Sequence, residues 1–252
     1  MIVCKYYIFL NKYFLHDKID CQNDGYRVKI LMNLKNNETN LLASNIYVYN
    51  QEIANSISHG IGAILSIIGL IVLLIISSPK GDIWRIVSFS VYGTTLILLY
   101  LSSTIYHGLS NVKLKNIFQI LDHSAIYLLI AGSYTPLTLI SLRGPWGWTL
   151  FGLVWGIAFI GIFMNIFFFN KTQIPSMILY VIMGWLIVIA INPLVASIPI
   201  EMLYWIIMGG VSYSLGIIFY LVKKIPYHHT IWHLFVLAGS ITHFLGILFY
   251  LA

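Results

Sequence analysis

Charged residues are scarce in this sequence: Asp, Glu, Lys and Arg make up 9% of its 252 residues, whereas hydrophobic residues make up 59%. Soluble globular domains contain about 25% charged residues. The composition therefore excludes a soluble globular protein and indicates an integral membrane protein. The formal net charge of +6 does not indicate a nucleic-acid partner, because the Lys and Arg residues lie between apolar runs rather than in one basic patch.

Cysteine is almost absent as well. Cys4 and Cys21 both lie in the polar N-terminal segment, so they provide neither a disulfide framework nor a cysteine metal motif. The same segment has no apolar run long enough for the core of a signal peptide. We predict that residues 1–50 form a polar, partly disordered cytosolic segment and that residues 51–252 form one membrane domain.

Seven apolar runs follow residue 50, each near the length of about 20 residues that a bilayer-spanning helix needs. Short polar breaks separate these runs. The sequence therefore predicts an all-α integral membrane protein, a bundle of seven transmembrane helices whose neighbours run antiparallel. The predicted spans are residues 57–77, 85–109, 117–141, 147–169, 174–195, 202–222 and 229–251.

Two proline motifs inside the predicted spans, at Pro136 and Pro193, predict kinks. A proline in a membrane helix frees backbone groups, which neighbouring helices then have to satisfy. We expect these kinks to shape a cavity.

The Lys and Arg residues of the loops predict the orientation, because positively charged loops are retained in the cytoplasm. With the N-terminus inside, the cytoplasmic loops contain Lys113, Lys115, Lys171, Lys223 and Lys224, whereas the opposite side has Lys80, Arg85 and Arg143. We therefore predict a cytoplasmic N-terminus, and we expect the protein in the plasma membrane.

Ionisable side chains inside the predicted spans indicate a functional site, because each costs at least about 2.5 kcal/mol to insert and so needs a partner or a function. In the predicted topology, three helices bring four such side chains to one layer, about 10 Å from the cytoplasmic side at about 1.5 Å per residue. These are His107, Asp122, His229 and His233. The spacing of four residues places His229 and His233 on one helix face, and it places Ser103 beside His107.

The three imidazoles of this layer predict a zinc site with His107, His229 and His233 as ligands. Three histidine ligands leave the fourth position of zinc open for water, which is the arrangement of catalytic sites. The ion would make this water more acidic and would polarise a carbonyl group. Asp122 would then act as general base, and Ser103 would orient His107 or donate to a developing oxyanion.

The other polar residues have a simpler interpretation. A lone membrane histidine usually satisfies a hydrogen bond between helices, and we favour this role for His59, His123, His228 and His243. Glu52, Asn55 and His59 share one face at the inner mouth of the first predicted helix. Capping of a helix start and a functional role are both compatible with that spacing.

Together these motifs resemble the hemolysin III family, the bacterial branch of the progestin and adipoQ receptor (PAQR) superfamily. The resemblance runs from about Glu52 to the C-terminus and rests on residues 52–62, 103–107, 121–127, 131–136 and 229–233. It implies that His107, His229 and His233 bind zinc near the cytoplasmic face and that Asp122 approaches the ion through water. It also implies possible kinship with membrane ceramidases, which use zinc to cleave a lipid amide; this supports a hydrolase by analogy alone.

We hypothesise a zinc-dependent hydrolase acting on the amide or ester of a membrane lipid that enters from the inner leaflet. One alternative is a pore-forming cytolysin, which the family name suggests, although such a toxin usually reaches its target membrane from solution. Another is a PAQR-like membrane sensor or receptor in which zinc is structural. The sequence specifies neither the lipid nor the oligomeric state.

Overall fold

A computed structural model describes the backbone of residues 24–252 and the side chains of residues 39–42, 44–169 and 171–252. Cys4 and Cys21 lie outside the described residues. The chain divides into one unit that ends at Val48 and a second unit, Tyr49–Ala252. The second unit contains every residue of the predicted site.

Helices account for nearly all of the described chain, and strands are absent from that part. A 3-10 turn, Ser78–Lys80, follows the first helix, a π-helical segment, Leu137–Ser141, follows the third, and a 3-10 segment, Leu186–Ala190, links the fourth to the fifth. The helices are α1 (Asp24–Ser77), α2 (Ile83–Gly108), α3 (Val112–Pro136), α4 (Pro145–Trp185), α5 (Ile191–Ser197), α6 (Ile200–Leu221) and α7 (His228–Tyr250).

The prediction of a seven-helix membrane protein is confirmed. Within the described residues, seven helical segments are long and apolar enough to cross a membrane. The cytoplasmic N-terminus and the plasma-membrane location stay predictions. The segments are Thr39–Lys80, Ile83–Gly108, Val112–Ser141, Pro145–Phe169, Lys171–Ser197, Ile200–Leu221 and His228–Tyr250.

The first helix differs from its prediction at its N-terminal end. It begins at Asp24 rather than near residue 57, so residues 24–56 are helical as well; the cytosolic N-terminal segment stays a prediction. This stretch has no proline, and its single glycine, Gly25, lies at the helix start, so that nothing in it breaks a helix.

The boundary between the fourth and fifth spans is a kink inside α4 rather than a loop. Phe168 has non-helical dihedral angles there, with φ −133° and ψ 27°. The Asn165 side-chain oxygen accepts hydrogen bonds from Thr172 at 3.1 Å and from Ser176 at 2.9 Å. Asn165 therefore ties the two halves of α4 together across the kink.

Both predicted proline motifs interrupt their helices. α3 passes into the π-helical segment after Pro136, and 3-10 turns precede the short helix that contains Pro193. The Tyr134 hydroxyl accepts from the Ile187 N–H at 2.8 Å and donates to the Gly184 carbonyl at 3.0 Å. A tyrosine of α3 thus satisfies backbone groups that the second irregularity frees, as the bilayer requires.

α2 and α3 pack closely, and this contact places the His107 end of one helix beside Asp122 of the other. Gly132 makes the approach possible, since a Cβ atom at this position would overlap the side chain of Thr95. Small residues at helix contacts are the usual means of close packing in membranes.

We predict that Gly132→Ala lowers the thermal unfolding midpoint of the detergent-solubilised protein, because the added methyl group forces α2 and α3 apart and overpacking costs about 1–3 kcal/mol. Gly156→Ala is the matched control, since nothing lies within 4 Å of a Cβ atom at that position. We expect this control to unfold at or above the wild-type temperature. Equal midpoints for the two variants would contradict the close contact.

Candidate metal centre

Two helices bring the three predicted histidine ligands together. His107 lies in the last turn of α2, and His229 and His233 lie in the first two turns of α7. Each offers one nitrogen, and these three atoms all lie within 4.8 Å of one another. The ring centroids are 5.1 Å apart for His107 and His229, 5.0 Å for His107 and His233, and 4.7 Å for His229 and His233.

The backbone just before α7 fixes where this helix begins. Tyr227 has φ 54° and ψ 27°, and it is the non-glycine residue with positive φ in the described chain. This left-handed conformation is uncommon for a bulky residue. It places His229 in the first turn of α7, so that His233 follows one turn later on the same face.

The hydrogen bonds of the histidines leave nitrogen atoms free for a metal. Among the described residues, the Nε2 atoms of His107 and His229 are buried and have no hydrogen-bond partner. Nδ1 of His107 lies 3.2 Å from a Glu52 carboxylate oxygen, and Nδ1 of His233 lies 3.3 Å from the Asn55 carbonyl oxygen. Because buried polar atoms are normally paired, the two free Nε2 atoms fit a divalent ion that accepts their lone pairs.

Asp122 lies near this group but outside it. Its side chain is buried in α3, with a carboxylate oxygen 4.0 Å from Nδ1 of His123. It does not belong to the set of mutually close ligand atoms, yet it lines the same cavity as His229 and His233. Asp122 therefore lines the space beside His229 and His233 without filling a ligand position in the group.

The sequence predicts two roles for Ser103, and one of them is to orient His107. The structure shows no contact between Ser103 and His107 that would do this. The Ser103 hydroxyl is buried beside Asp122 rather than His107, and Glu52 contacts Nδ1 of His107 instead. The spacing of four residues places Ser103 one turn from His107. It does not specify which neighbouring helix each ring nitrogen of His107 faces.

An elongated cavity opens on this group. At one end it is lined by His59, Asp122, His229 and His233, and it continues past Tyr134 and Trp185 to His243. The side chains between these ends are mainly apolar: Leu99, Ile126, Leu129, Ile130, Met177, Val181, Ile217 and Val236. The proline-associated irregularities thus contribute to the cavity wall, since Tyr134 and Gly184 line it.

His59 differs from the interpretation favoured for lone histidines. It is buried, its ring stacks on that of His233 with centroids 3.5 Å apart, and neither of its nitrogens has a partner in the described chain. By contrast, His123 contacts the Gln119 carbonyl at 2.9 Å, and His243 contacts the Ile206 carbonyl at 3.1 Å. His59 therefore packs against a residue of the centre but lies outside the set of close ligand atoms; its position on the Glu52 face of the first helix indicated this proximity.

Comparison with known proteins identifies the family of this chain. Residues 47–244 match the family described as Haemolysin-III related. The chain belongs to this family. It is 52% identical to Hemolysin-3 of Bacillus cereus over 188 residues, which cover 75% of this chain and 86% of that protein. It is 48% identical to the Hemolysin-3 homolog of Bacillus subtilis (strain 168) over 193 residues, or 77% and 91% of the two chains.

The chain is also similar, at lower identity, to a human protein. The monocyte to macrophage differentiation factor of Homo sapiens is 29% identical over 192 residues, which cover 73% of this chain and 77% of that protein. This relationship fits the wider PAQR superfamily. The resemblance predicted from the motifs is confirmed, and the protein is a hemolysin III-like multi-pass membrane protein in which three histidines could hold a metal ion.

We predict that His107→Ala abolishes stoichiometric metal binding, because two imidazoles remain where three converge. The metal content of purified protein is measured by inductively coupled plasma mass spectrometry. His228→Ala is the matched control: it changes the neighbour of His229, and His228 lies outside the set of close ligand atoms. Equal metal content in both variants would rule out this ligand set.

Proposed function

We propose that this protein is a zinc-dependent hydrolase that cleaves the amide or ester bond of a membrane lipid. The observation that supports it best is the pair of unpartnered Nε2 atoms, on His107 and His229, next to a cavity that His229 and Asp122 both line. Imidazole ligands suit zinc, and three of them leave a fourth position open for water. A bound zinc ion would supply an acidified water and would polarise the carbonyl group of the lipid.

Asp122 is the general base of the proposal. Its carboxylate faces the cavity and stays outside the ligand set, so it is free to take a proton from a water molecule there. The water oxygen forms the new bond to the carbonyl carbon, and the amide or ester bond then breaks. Asp122 returns the proton to the leaving nitrogen or oxygen, which yields a carboxylic acid and an amine or alcohol.

Ser103 has the second proposed catalytic role. Its hydroxyl is buried beside the Asp122 carboxylate, so it can donate to an oxygen atom that becomes negatively charged next to Asp122 during the reaction. Such donors contribute most where water is excluded, because the electrostatic interaction is then strong. Of its two predicted roles, donation to the oxyanion is the one we retain.

The apolar part of the cavity gives the proposal its substrate class. Ligand sites are usually apolar with a few polar groups that fix orientation. Here His229, His233 and Asp122 lie at one end, and the side chains between them and His243 are mainly apolar. A lipid with its amide or ester at the histidines would place its hydrocarbon chain along these side chains, and the predicted orientation would admit it from the inner leaflet.

The test incubates purified protein in vesicles made from a total lipid extract of the host cells and follows all lipid species by mass spectrometry. Wild type should release fatty acid. Asp122→Asn should keep its zinc but lose turnover by about 10²–10⁴-fold, since it removes the base and not a ligand. His233→Ala should lose both zinc and turnover, whereas His228→Ala should retain both. Lipid profiles that are the same for wild type and His233→Ala would overturn the proposal.

A pore-forming cytolysin is the second candidate, and the name Hemolysin-3 of the Bacillus cereus relative favours it. The histidine centre distinguishes the two functions. Lysis of red cells by purified wild type and equally by His233→Ala would support the pore, because a pore does not need the centre. Stoichiometric zinc without turnover of any lipid would instead favour a sensor in which zinc is structural.

A further inference from the structure

One carboxylate oxygen of Glu52 lies between a histidine of the metal centre and a lysine. This oxygen, Oε2, is 3.2 Å from Nδ1 of His107 and 2.5 Å from Nζ of Lys115. The three residues come from α1, α2 and α3. The sequence leaves Glu52 as either a helix cap or a functional group, and capping is excluded because α1 begins at Asp24.

The same face of α1 also contacts α7, the helix that carries His229 and His233. The Asn55 carbonyl oxygen lies 3.3 Å from Nδ1 of His233, and the Asn55 side-chain oxygen accepts a hydrogen bond of 2.6 Å from Thr230. Ser58 adds a contact of 3.3 Å to the same nitrogen. Within two turns, α1 therefore touches the Nδ1 atoms of two of the three histidines.

The shortest of these contacts favour Nδ1 as the nitrogen that carries the proton in each ring; the Asn55 amide nitrogen, at 3.4 Å from Nδ1 of His107, is the longer contact there. Carboxylate and carbonyl oxygens can only accept hydrogen bonds, so a hydrogen bond from either oxygen requires Nδ1 of His107 or His233 to donate. A neutral imidazole that donates from Nδ1 has its lone pair on Nε2. In His107 this is the buried atom without a partner, which is the atom that a metal ion would use.

Glu52 itself does not fit the role of ligand. Its carboxylate contacts Nδ1 of His107 rather than the side of the ring that carries Nε2, and it lies outside the set of close ligand atoms. Metal-bound histidines commonly donate their other N–H to a carboxylate, which fixes the ring and makes it a better ligand. The Glu52 contact has this form.

We propose that Glu52 is a positioning residue of the metal centre. Its carboxylate, held by Lys115, accepts the Nδ1 proton of His107 and turns Nε2 of that ring toward His229 and His233. The inference rests on the metal site of the proposed function and does not depend on hydrolysis. Lys115 acts one step further away: its ion pair with Glu52 is partly exposed, with 29% of each side chain accessible, and such pairs contribute little to stability by themselves.

The test measures zinc affinity of purified, metal-free protein by competition with a chelator. Glu52→Ala should bind zinc about 10–100-fold more weakly than wild type, the usual effect of losing such a partner. Glu52→Gln keeps the shape and an acceptor oxygen but not the charge, so its affinity should lie between the two. Glu201→Gln is the matched control, because this exposed glutamate lies in the first turn of α6 and has no part in the centre.

Two further measurements separate positioning from a purely structural role. The visible absorption spectrum of the cobalt-substituted protein should change in Glu52→Gln, since it reports the geometry of the ligands. The thermal midpoint of metal-free Glu52→Gln should match wild type, whereas a structural role would lower it and leave the affinity unchanged. Lys115→Met provides a second route to the same test if Glu52→Ala does not fold, with a smaller loss of affinity expected.

Zinc binding as tight as wild type in Glu52→Gln and Lys115→Met would overturn the inference. Failure of the metal site itself gives a different result, because His107→Ala would then bind zinc as well as wild type does. A loss of affinity in the Glu52 variants without any lipid turnover in wild type would support the positioning role while contradicting the hydrolase.

Discussion

The hydrocarbon interior of a bilayer offers no water to polar groups, so each buried donor or acceptor of this protein needs a partner inside the bundle. Most of the described polar groups meet this requirement through hydrogen bonds within a helix or to a neighbouring helix. The Tyr134 hydroxyl satisfies backbone atoms at the irregular part of the fifth span, and Asn165 bridges the kink in α4. The exceptions are informative, because several of them lie around His107 and its neighbours.

A hydrogen-bonded cluster behind the histidines keeps the helices in register. Ser240 of α7 accepts from Tyr100 of α2 at 2.7 Å and contacts the hydroxyl of Tyr213 of α6 at 2.8 Å. The Tyr100 ring also packs edge-on against His59, with centroids 5.0 Å apart. The candidate ligands on two helices are therefore held by packed side chains and by the contacts from α1. A metal centre needs this rigidity, because its ligand atoms must converge within a few ångströms.

The spans and the ligand set could be predicted from the sequence because their physical causes are local. Bilayer thickness fixes the length of an apolar run, and four-residue spacing fixes a helix face, as for His229 and His233. The kink at Phe168 could not be predicted in the same way, because neither a proline nor a glycine lies at this position. The contacts of Glu52, His59 and Ser103 depend on how far α1 and α2 are rotated about their axes, which packing across the bundle decides. This is why Glu52 had two open interpretations and why His59 was assigned an ordinary structural role.

We propose that three imidazoles from α2 and α7 hold one zinc ion. Zinc K-edge X-ray absorption on the purified protein observes these ligands without a substrate. We expect one zinc per chain with three imidazole nitrogens and one further light atom at about 2.0–2.1 Å. Protein free of zinc after purification in zinc-containing buffer, or a zinc shell containing sulfur, would contradict it.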